Sequence, residues 1–259
     1  SVGSVGKYRI LPFLKAKGVR YLEAVFVTHP DEDHCNGLQE LLSMGKQQGI
    51  RIGCLILPDI GESSKGQGYR ELEKAASEAG ISLQYISRGQ YIQGKGALLE
   101  CLHPASGFES TDANAYSIAL RLTSGSFTAL LTGDLEGTGE QALLEELFAR
   151  REISENRGAD SMAGGLADNM AGGPAGITLL KVAHHGSKNS TSEEFLQMID
   201  PAIAVISCGK NNRYGHPHEE TLERLSEADI SWFCTKDYGA ITVSVDAKGR
   251  VAVKGYRKQ

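Results

Sequence analysis

No stretch of this chain approaches the roughly 18–20 consecutive apolar residues that a membrane span needs. The opening, Ser1-Val-Gly-Ser-Val-Gly6, has neither a basic flank nor an apolar core, so it does not read as a signal peptide. It also lacks a starting methionine, which suggests a piece of something longer whose missing part could have carried a signal or a membrane anchor. A basic excess is absent: the net charge is -5, so any nucleic-acid role must rest on a local patch and not on the overall field. The five cysteines, Cys35, Cys54, Cys101, Cys208 and Cys234, are odd in number and contain no CxxC pair. That argues against a disulfide framework and against a cysteine zinc site, and leaves most of them as small buried hydrophobes. Cys35 and Cys208 stand beside chemistry-bearing segments, so a secondary role for them stays open. No internal repeat is visible.

Glycine is plentiful, at 31 of 259 residues, which favours many tight turns over a helical bundle. Short apolar, β-rich runs alternate with amphipathic stretches. Strands are expected at Leu22–Thr28, Ile52–Leu57, Ser82–Ser87, Ala97–Leu102, Ser117–Thr123, Ser126–Thr132, Ile177–Ala183, Ala202–Cys208, Trp232–Thr235, Ala240–Val245 and Val251–Tyr256. Helices are expected at Asn36–Met44, Tyr69–Ala79, Thr138–Arg150 and Glu219–Ala228, and another after a capping box at Thr191-Ser-Glu-Glu194. The segment 155–176, rich in glycine and alanine and without strand period, reads as a flexible insertion in one domain covering residues 1–259. The alternation gives an α/β or layered α+β fold class.

The chemistry concentrates in His29-Pro-Asp31-Glu-Asp33-His34, two imidazoles and three carboxylates delivered by a buried strand. Gathering these anions costs several kcal/mol unless a cation compensates. His with Asp suits zinc, manganese or iron better than calcium or magnesium. The bland alternative is a solvated acidic turn, which the apolar strand before it argues against. Three later segments come after apolar runs in the same way: Thr132-Gly-Asp134, His184-His185-Gly-Ser187, and Tyr214-Gly-His216-Pro-His218. Taken singly, Asp134 could cap a turn, His184 and His185 could be a surface pair, and His216 or His218 could cap the next helix. His103, followed by Pro104, reads as structural.

Together, and in this order, these segments resemble the metallo-β-lactamase hydrolase superfamily, whose signature is HxHxDH followed by a bridging aspartate and a downstream histidine. Here Asp31 stands in place of the middle histidine. THPDEDH, LTGD, LKVAHHGSKNSTS and SCGKNNRYGHPH further resemble one branch: the C-terminal domain of ComEC-type DNA-uptake competence proteins and its free-standing relatives. The resemblance covers the chain from about Gly6. It implies an αββα sandwich, lacking here the family's opening strand pair. It also implies His29 and Asp31 on one metal, Asp33 and His34 on a second, Asp134 bridging, and His184 or His185 completing a set. Asn114 and Ser117 lie where the usual third-motif histidine is missing and are expected to bind substrate, which leaves one or two divalent ions, zinc or manganese, open.

The function implied is that of a metal-dependent hydrolase in which an activated water attacks a phosphorus or carbonyl centre. Asp33 or Asp134 would take a proton and His216 would give one. A phosphodiester, single-stranded nucleic acid above all, is the expected substrate. Lys188, Lys210 and Arg213 flank the late loops with Ser187 and His218 and could contact phosphates, although ordinary solvated cations would look the same. The rivals are a small ester, lactone or thioester hydrolase and a non-catalytic DNA-binding module. Attachment to a membrane protein, and an extracytoplasmic location, would come from the competence resemblance alone.

Overall fold

Which way each strand side chain points decides how the layers stack. A computed structural model describes residues 4–156, 176–246 and 248–257. Tyr21–Phe26 (β1), Arg51–Pro58 (β2) and Ser82–Ile86 (β3) pair in parallel as a three-stranded sheet. Tyr91–Gly94 (β4), Ala97–His103 (β5), Ala119–Ser124 (β6), Phe127–Leu131 (β7), Leu179–Lys181 (β8), Ile203–Ile206 (β9) and Ser231–Cys234 (β10) form a seven-stranded sheet in sequence order. It is antiparallel from β4 to β7 and parallel from β7 to β10. Ile241–Val245 (β11) and Val251–Gly255 (β12) make a separate hairpin.

The helices are Leu11–Ala16 (α1), Glu32–Met44 (α2), Gln67–Glu78 (α3), Thr138–Asn156 (α4), Glu193–Ile199 (α5), Glu219–Glu227 (α6) and Thr235–Tyr238 (α7), with Gly6–Ile10 wound as a π-helix ahead of α1. On β2, Leu55 and Leu57 pack with Leu38 of α2 and Leu72 and Ala76 of α3, while Ile56 turns the other way to meet Ile86, Cys101, Ile118 and Leu120. The period of two repeats on the larger sheet. Ile118 and Leu120 face the first sheet, whereas Ala119 and Leu130 face Leu143 and Leu147 of α4, Phe195 of α5 and Leu225 of α6. The order is therefore helices, sheet, sheet, helices: a layered αββα sandwich, as expected. Each fully buried leucine in these interfaces contributes roughly 1.5–3 kcal/mol.

Four details depart from the expected elements. Helix α2 starts at Glu32 and not at Asn36, so Asp33 and His34 ride on its first turn. The strand β4 was not expected; its residues Tyr-Ile-Gln-Gly are all exposed and carry little apolar signal. Helix α4 runs on to Asn156, so the expected insertion at 155–176 begins inside it, and residues 157–175 lie outside the described residues. The capping box does not form as read. Ser192, one residue later, is the N-cap of α5 and accepts from the Phe195 N–H at 3.2 Å. The charged part of the cap comes from Glu140 of α4, whose carboxylate accepts the N–H groups of Thr191 at 2.5 Å and Ser192 at 2.9 Å.

Candidate metal centre

Four turns at the ends of β1, β7, β8 and β9 converge. The carbonyl of Thr28 accepts the Ile118 N–H at 3.1 Å and ties the end of β1 to the second sheet. Asp31 holds the N-cap position of α2 in extended conformation but makes no side-chain cap, so its carboxylate stays available. Gly133 lets the chain turn at Asp134: its φ is +54°, and a Cβ there would lie 2.9 Å from Thr28 Cβ. After β8 the backbone places two consecutive histidines in the left-handed region, His184 at φ 43° and His185 at φ 55°. That conformation costs on the order of 1 kcal/mol per non-glycine residue. Gly186 completes the turn at φ +86°, where a Cβ would fall 2.6 Å from Pro217 Cβ. The turn therefore packs directly on the loop that carries His216.

The side chains meet at Asp134. Its Oδ2 lies 3.1 Å from His34 Nε2 and 3.3 Å from His185 Nε2, and 4.0 Å from the Nε2 atoms of both His29 and His184. Asp33 Oδ2 joins the group at 3.2 Å from His185 Nε2 and 3.8 Å from His34 Nε2. One donor atom from each of Asp33, His34, Asp134 and His185 falls within 4.8 Å of all the others. Beside them, His29 Nε2 stands 3.8 Å from Asp31 Oδ2. His29 Nδ1 is fixed by the hydroxyls of Thr28 and Ser117 at 3.0 and 3.1 Å. His185 Nδ1 donates to the Ser207 carbonyl at 2.5 Å, so Nε2 is the ring atom turned toward the carboxylates: it donates to them when the ring is protonated and offers a lone pair to a cation when the ring is neutral.

A divalent cation fits these donors. Among the described residues His29 Nε2 is buried without a hydrogen-bond partner, and two ring nitrogens, His34 Nε2 and His185 Nε2, face each other at 3.2 Å. Imidazole with carboxylate in this number is a donor set for a divalent metal ion. Asp33, His34, Asp134 and His185 form one cluster; His29 stands beside it, with its ring centroid 4.2 Å from that of His34 and its Nε2 4.0 Å from the same Asp134 oxygen, and Asp31 adjoins His29.

Electrostatics follow the same map. Burial, reinforced by neighbouring His34, pushes His29 down to about 3. The hydrogen bond from His185 holds Asp33 down at about 2, while burial and the nearby Asp33 raise Asp31. Burial opposes charge on both Asp134 and His185, but their mutual hydrogen bond overrides it. The Asp134 carboxyl is held far below its ordinary range, and His185 rises to about 10. His216, buried among His184, His218 and His185, falls to about 4.

The other expected residues stand around the cluster and at its rim. His184 sits apart from the four-donor cluster: Glu136 accepts from its Nδ1 at 2.8 Å, and its ring meets that of His216 edge-on at 5.3 Å between centroids. Asn114 donates to the other Glu136 oxygen at 3.0 Å. Ser117 and Ser187 are 0% and 3% exposed and contact protein groups, Ser117 binding His29 and the Asp134 N–H. His218 stands at the N-cap of α6, but its Nδ1 accepts the Lys188 N–H at 3.0 Å and makes no cap. Asn212 clamps His216 by its N–H and carbonyl at 2.8 and 2.7 Å. Lys188, Lys210 and Arg213 are exposed at the rim, Lys188 at 3.9 Å from Glu220 and Arg213 over the Tyr214 ring.

Sequence reasoning missed Glu136 and Lys181. The Lys181 ammonium donates to the Gly133 carbonyl at 2.6 Å and lies 3.5 Å from Asp134 Oδ1. A lysine inside an apolar strand run, and a glutamate two residues after the aspartate, were the available signals.

Over 92% of its length the chain is 34% identical to ComE operon protein 3 of Bacillus subtilis (strain 168), covering 26% of that protein. Over 96% of its length it is 29% identical to Competence protein ComA of Neisseria gonorrhoeae, covering 28% of that protein. The chain thus spans about a quarter of the length of the curated relatives it matches. No family model matches it. Among solved structures, a putative metal-dependent hydrolase from Parabacteroides distasonis aligns with a TM-score of 0.43 and 11% identity, over 82% of this chain and 76% of that one.

Proposed function

From the premise that the chain is related over nearly its whole length to ComEC-type competence proteins, we propose that it is a divalent-metal-dependent hydrolase that cuts the phosphodiester backbone of single-stranded nucleic acid during DNA uptake. A membrane-tethered, extracytoplasmic placement goes with that setting and is part of the same proposal. Among the described residues no helix is long and apolar enough to cross a membrane.

The observation that carries the reading is the convergence of Asp33, His34, Asp134 and His185 within 4.8 Å. These four would hold one ion, zinc or manganese, and His29 with Asp31 would contribute to a second that shares Asp134. Bound there, the metal would supply a Lewis acid for a phosphoryl oxygen and lower the pKa of attacking water. The chain's own groups do the rest. Thr28, Ser117 and the Ser207 carbonyl fix the imidazole orientations, which is what lets ligands keep one geometry through a reaction. His184, oriented by Glu136 with its Nε2 turned toward Asp134 and its pKa raised by that hydrogen bond, would hold a proton near a leaving oxygen, and His216 beside it, lowered to about 4, would serve as the neutral ring that hands a proton on. Lys188, Lys210 and Arg213 hold the flanking phosphates at the rim without reading bases.

A second reading, hydrolysis of a small ester, lactone or thioester, has one feature in its favour. An apolar recess lined by Val5, Ile10, Leu22 and Leu38 is also lined by Asp33 and His34. One experiment separates the readings: chelator-stripped protein is resupplied with manganese or zinc and given single-stranded DNA, with Asp33→Ala as control. The expected result is cleavage that returns with metal and falls by at least about 100-fold in Asp33→Ala, since loss of a ligand exceeds the effect of losing a group behind one. Metal uptake without DNA cleavage would favour the small-substrate hydrolase. Neither uptake nor cleavage would leave a non-catalytic binding module.

A further inference from the structure

Two cysteines stand just behind the metal-binding side chains without belonging to them. Cys208 follows Ser207, whose carbonyl orients His185, and precedes the loop 209–217, in which Asn212 clamps His216. Cys234 ends β10, which runs parallel to β9 with Cys234 beside Ile206. The two Sγ atoms are 3.2 Å apart. Thr235 Oγ1 already ties the same place together, accepting the Cys208 N–H and donating to its carbonyl, both at 2.9 Å. Cys234 is fully buried, while Cys208 is partly exposed and offers the way in for a reagent.

We propose that Cys208 and Cys234 are a reversible disulfide site that fastens the turn behind His185. The oxidant is another disulfide, small-molecule or protein. The Cys208 thiolate attacks one sulfur of that disulfide, forms a mixed disulfide and releases the first thiol of the reagent. Cys234 then gives its proton to solvent, its sulfur displaces the reagent's second thiolate, and the Cys208–Cys234 bond forms. Two electrons pass from the protein pair to the reagent, which leaves as two thiols. The sulfurs need to close by only about 1 Å to reach a bond of about 2.05 Å. The bridge then encloses α6 and β10 and restricts the unfolded chain. It also removes freedom from the peptide whose carbonyl holds His185. None of this depends on the hydrolase reading.

The test takes the full chain through a graded series of oxidised to reduced glutathione. Free thiols are counted, the bridged peptides mapped by mass spectrometry, and melting and amide exchange recorded at each ratio. The expected thiol count falls from five to three (five less the pair), with the bridge mapped to Cys208 and Cys234. Melting should rise by about 5 °C, and amide exchange across 207–217 should slow by about threefold or more. Dithiothreitol should reverse all of it. Cys208→Ser and Cys234→Ser should each lack the bridge and the shift. Five thiols persisting at the most oxidising ratio would overturn the proposal, as would a bridge that maps elsewhere. So would a bridged protein whose 207–217 amides exchange as fast as in the reduced form.

Discussion

Asp134 presents its two oxygens to different neighbours. Oδ2 faces His34 and His185, and Oδ1 faces the Lys181 ammonium. Much of this was legible, because His29, Asp31, Asp33 and His34 are covalent neighbours and no fold can separate them far. The choice between His184 and His185 was not legible. It turns on two consecutive left-handed residues, and no residue type announces that conformation when neither residue is glycine. Lys181 and Glu136 escaped notice for the reverse reason: each is ordinary in sequence and acquires meaning only from what folds against it. A histidine outside the site gives a clean residue-scale prediction. His103 is 2% exposed and its Nε2 donates to the Ala115 carbonyl at 2.8 Å. Burial brings its pKa down to about 4 from 6.5. As pH falls below 6.5 the unfolded chain takes up a proton that the folded one refuses until about 4, so the ring's contribution to stability is lost through that window and is constant above it. The loss should reach at most about 1.4 kcal/mol per pH unit. Urea unfolding of wild type and His103→Gln between pH 4 and 7 should show the steeper acid decline in wild type. Parallel curves would mean that the ring protonates inside the fold without cost.

Elements were read well where apolar period was strong and poorly where polar groups set the boundary. The exposed β4 carries a single isoleucine and joins the sheet only because β5 beside it supplies an edge. The start of α2 lies within the segment His29–His34, so residues read as candidate ligands also make a helical first turn, and no apolar residue marks it. The cap of α5 shows why local signals fail. Ser192 takes one N–H, but Glu140, 7% exposed and more than 50 residues earlier in the chain, accepts two. Glu140→Ala should therefore behave as loss of a buried charged acceptor and not as a surface change. It leaves two N–H groups unpaired and should destabilise by about 2–4 kcal/mol. Glu140→Gln keeps one amide oxygen in place and should cost less than half as much. Chemical denaturation of the pair decides this: equal losses would show that half of the double hydrogen bond is worth nothing without the other, and a Glu140→Gln protein as stable as wild type would show that packing, which glutamine keeps, holds α5 to α4.

At the scale of the molecule, the alternation of strands with helices was enough to expect layers, and the structure shows the reason: β2, β6 and β7 are apolar on both faces and are covered on both. How the charge is distributed over those layers could not be read from a net charge of -5. The structure puts Lys188, Lys210 and Arg213 on the two loops that come after β8 and β9, at the rim of the Asp134 cluster. Their contributions differ. The Lys188 ammonium lies 3.9 Å from the Glu220 carboxylate, so part of its charge is already met. Lys210 forms no ion pair among the described residues, and the Arg213 guanidinium rests over Tyr214, which is 61% exposed. A single strand tracking this rim, as proposed, would release counterions from the phosphates that these cations meet, with a slope of about 0.7 in log affinity against log salt per contact. Binding is best measured on Asp33→Ala, which should not cut, using anisotropy of a labelled oligothymidylate over a sodium chloride series. Adding Lys210→Ala and Arg213→Ala should flatten the slope by about 1.4, two contacts at about 0.7 each. Adding Lys188→Ala as well should flatten it by less than a further 0.7 or so, because Glu220 already competes for that charge. The Tyr214 ring predicts a separate, salt-independent loss on Tyr214→Ala, since bases stack on an exposed aromatic face for about 1–3 kcal/mol. A slope that does not move in the double variant would send the strand over another surface and leave the rim cations as solvated side chains. A slope that moves while Tyr214→Ala binds normally would keep the track and remove the stacking platform.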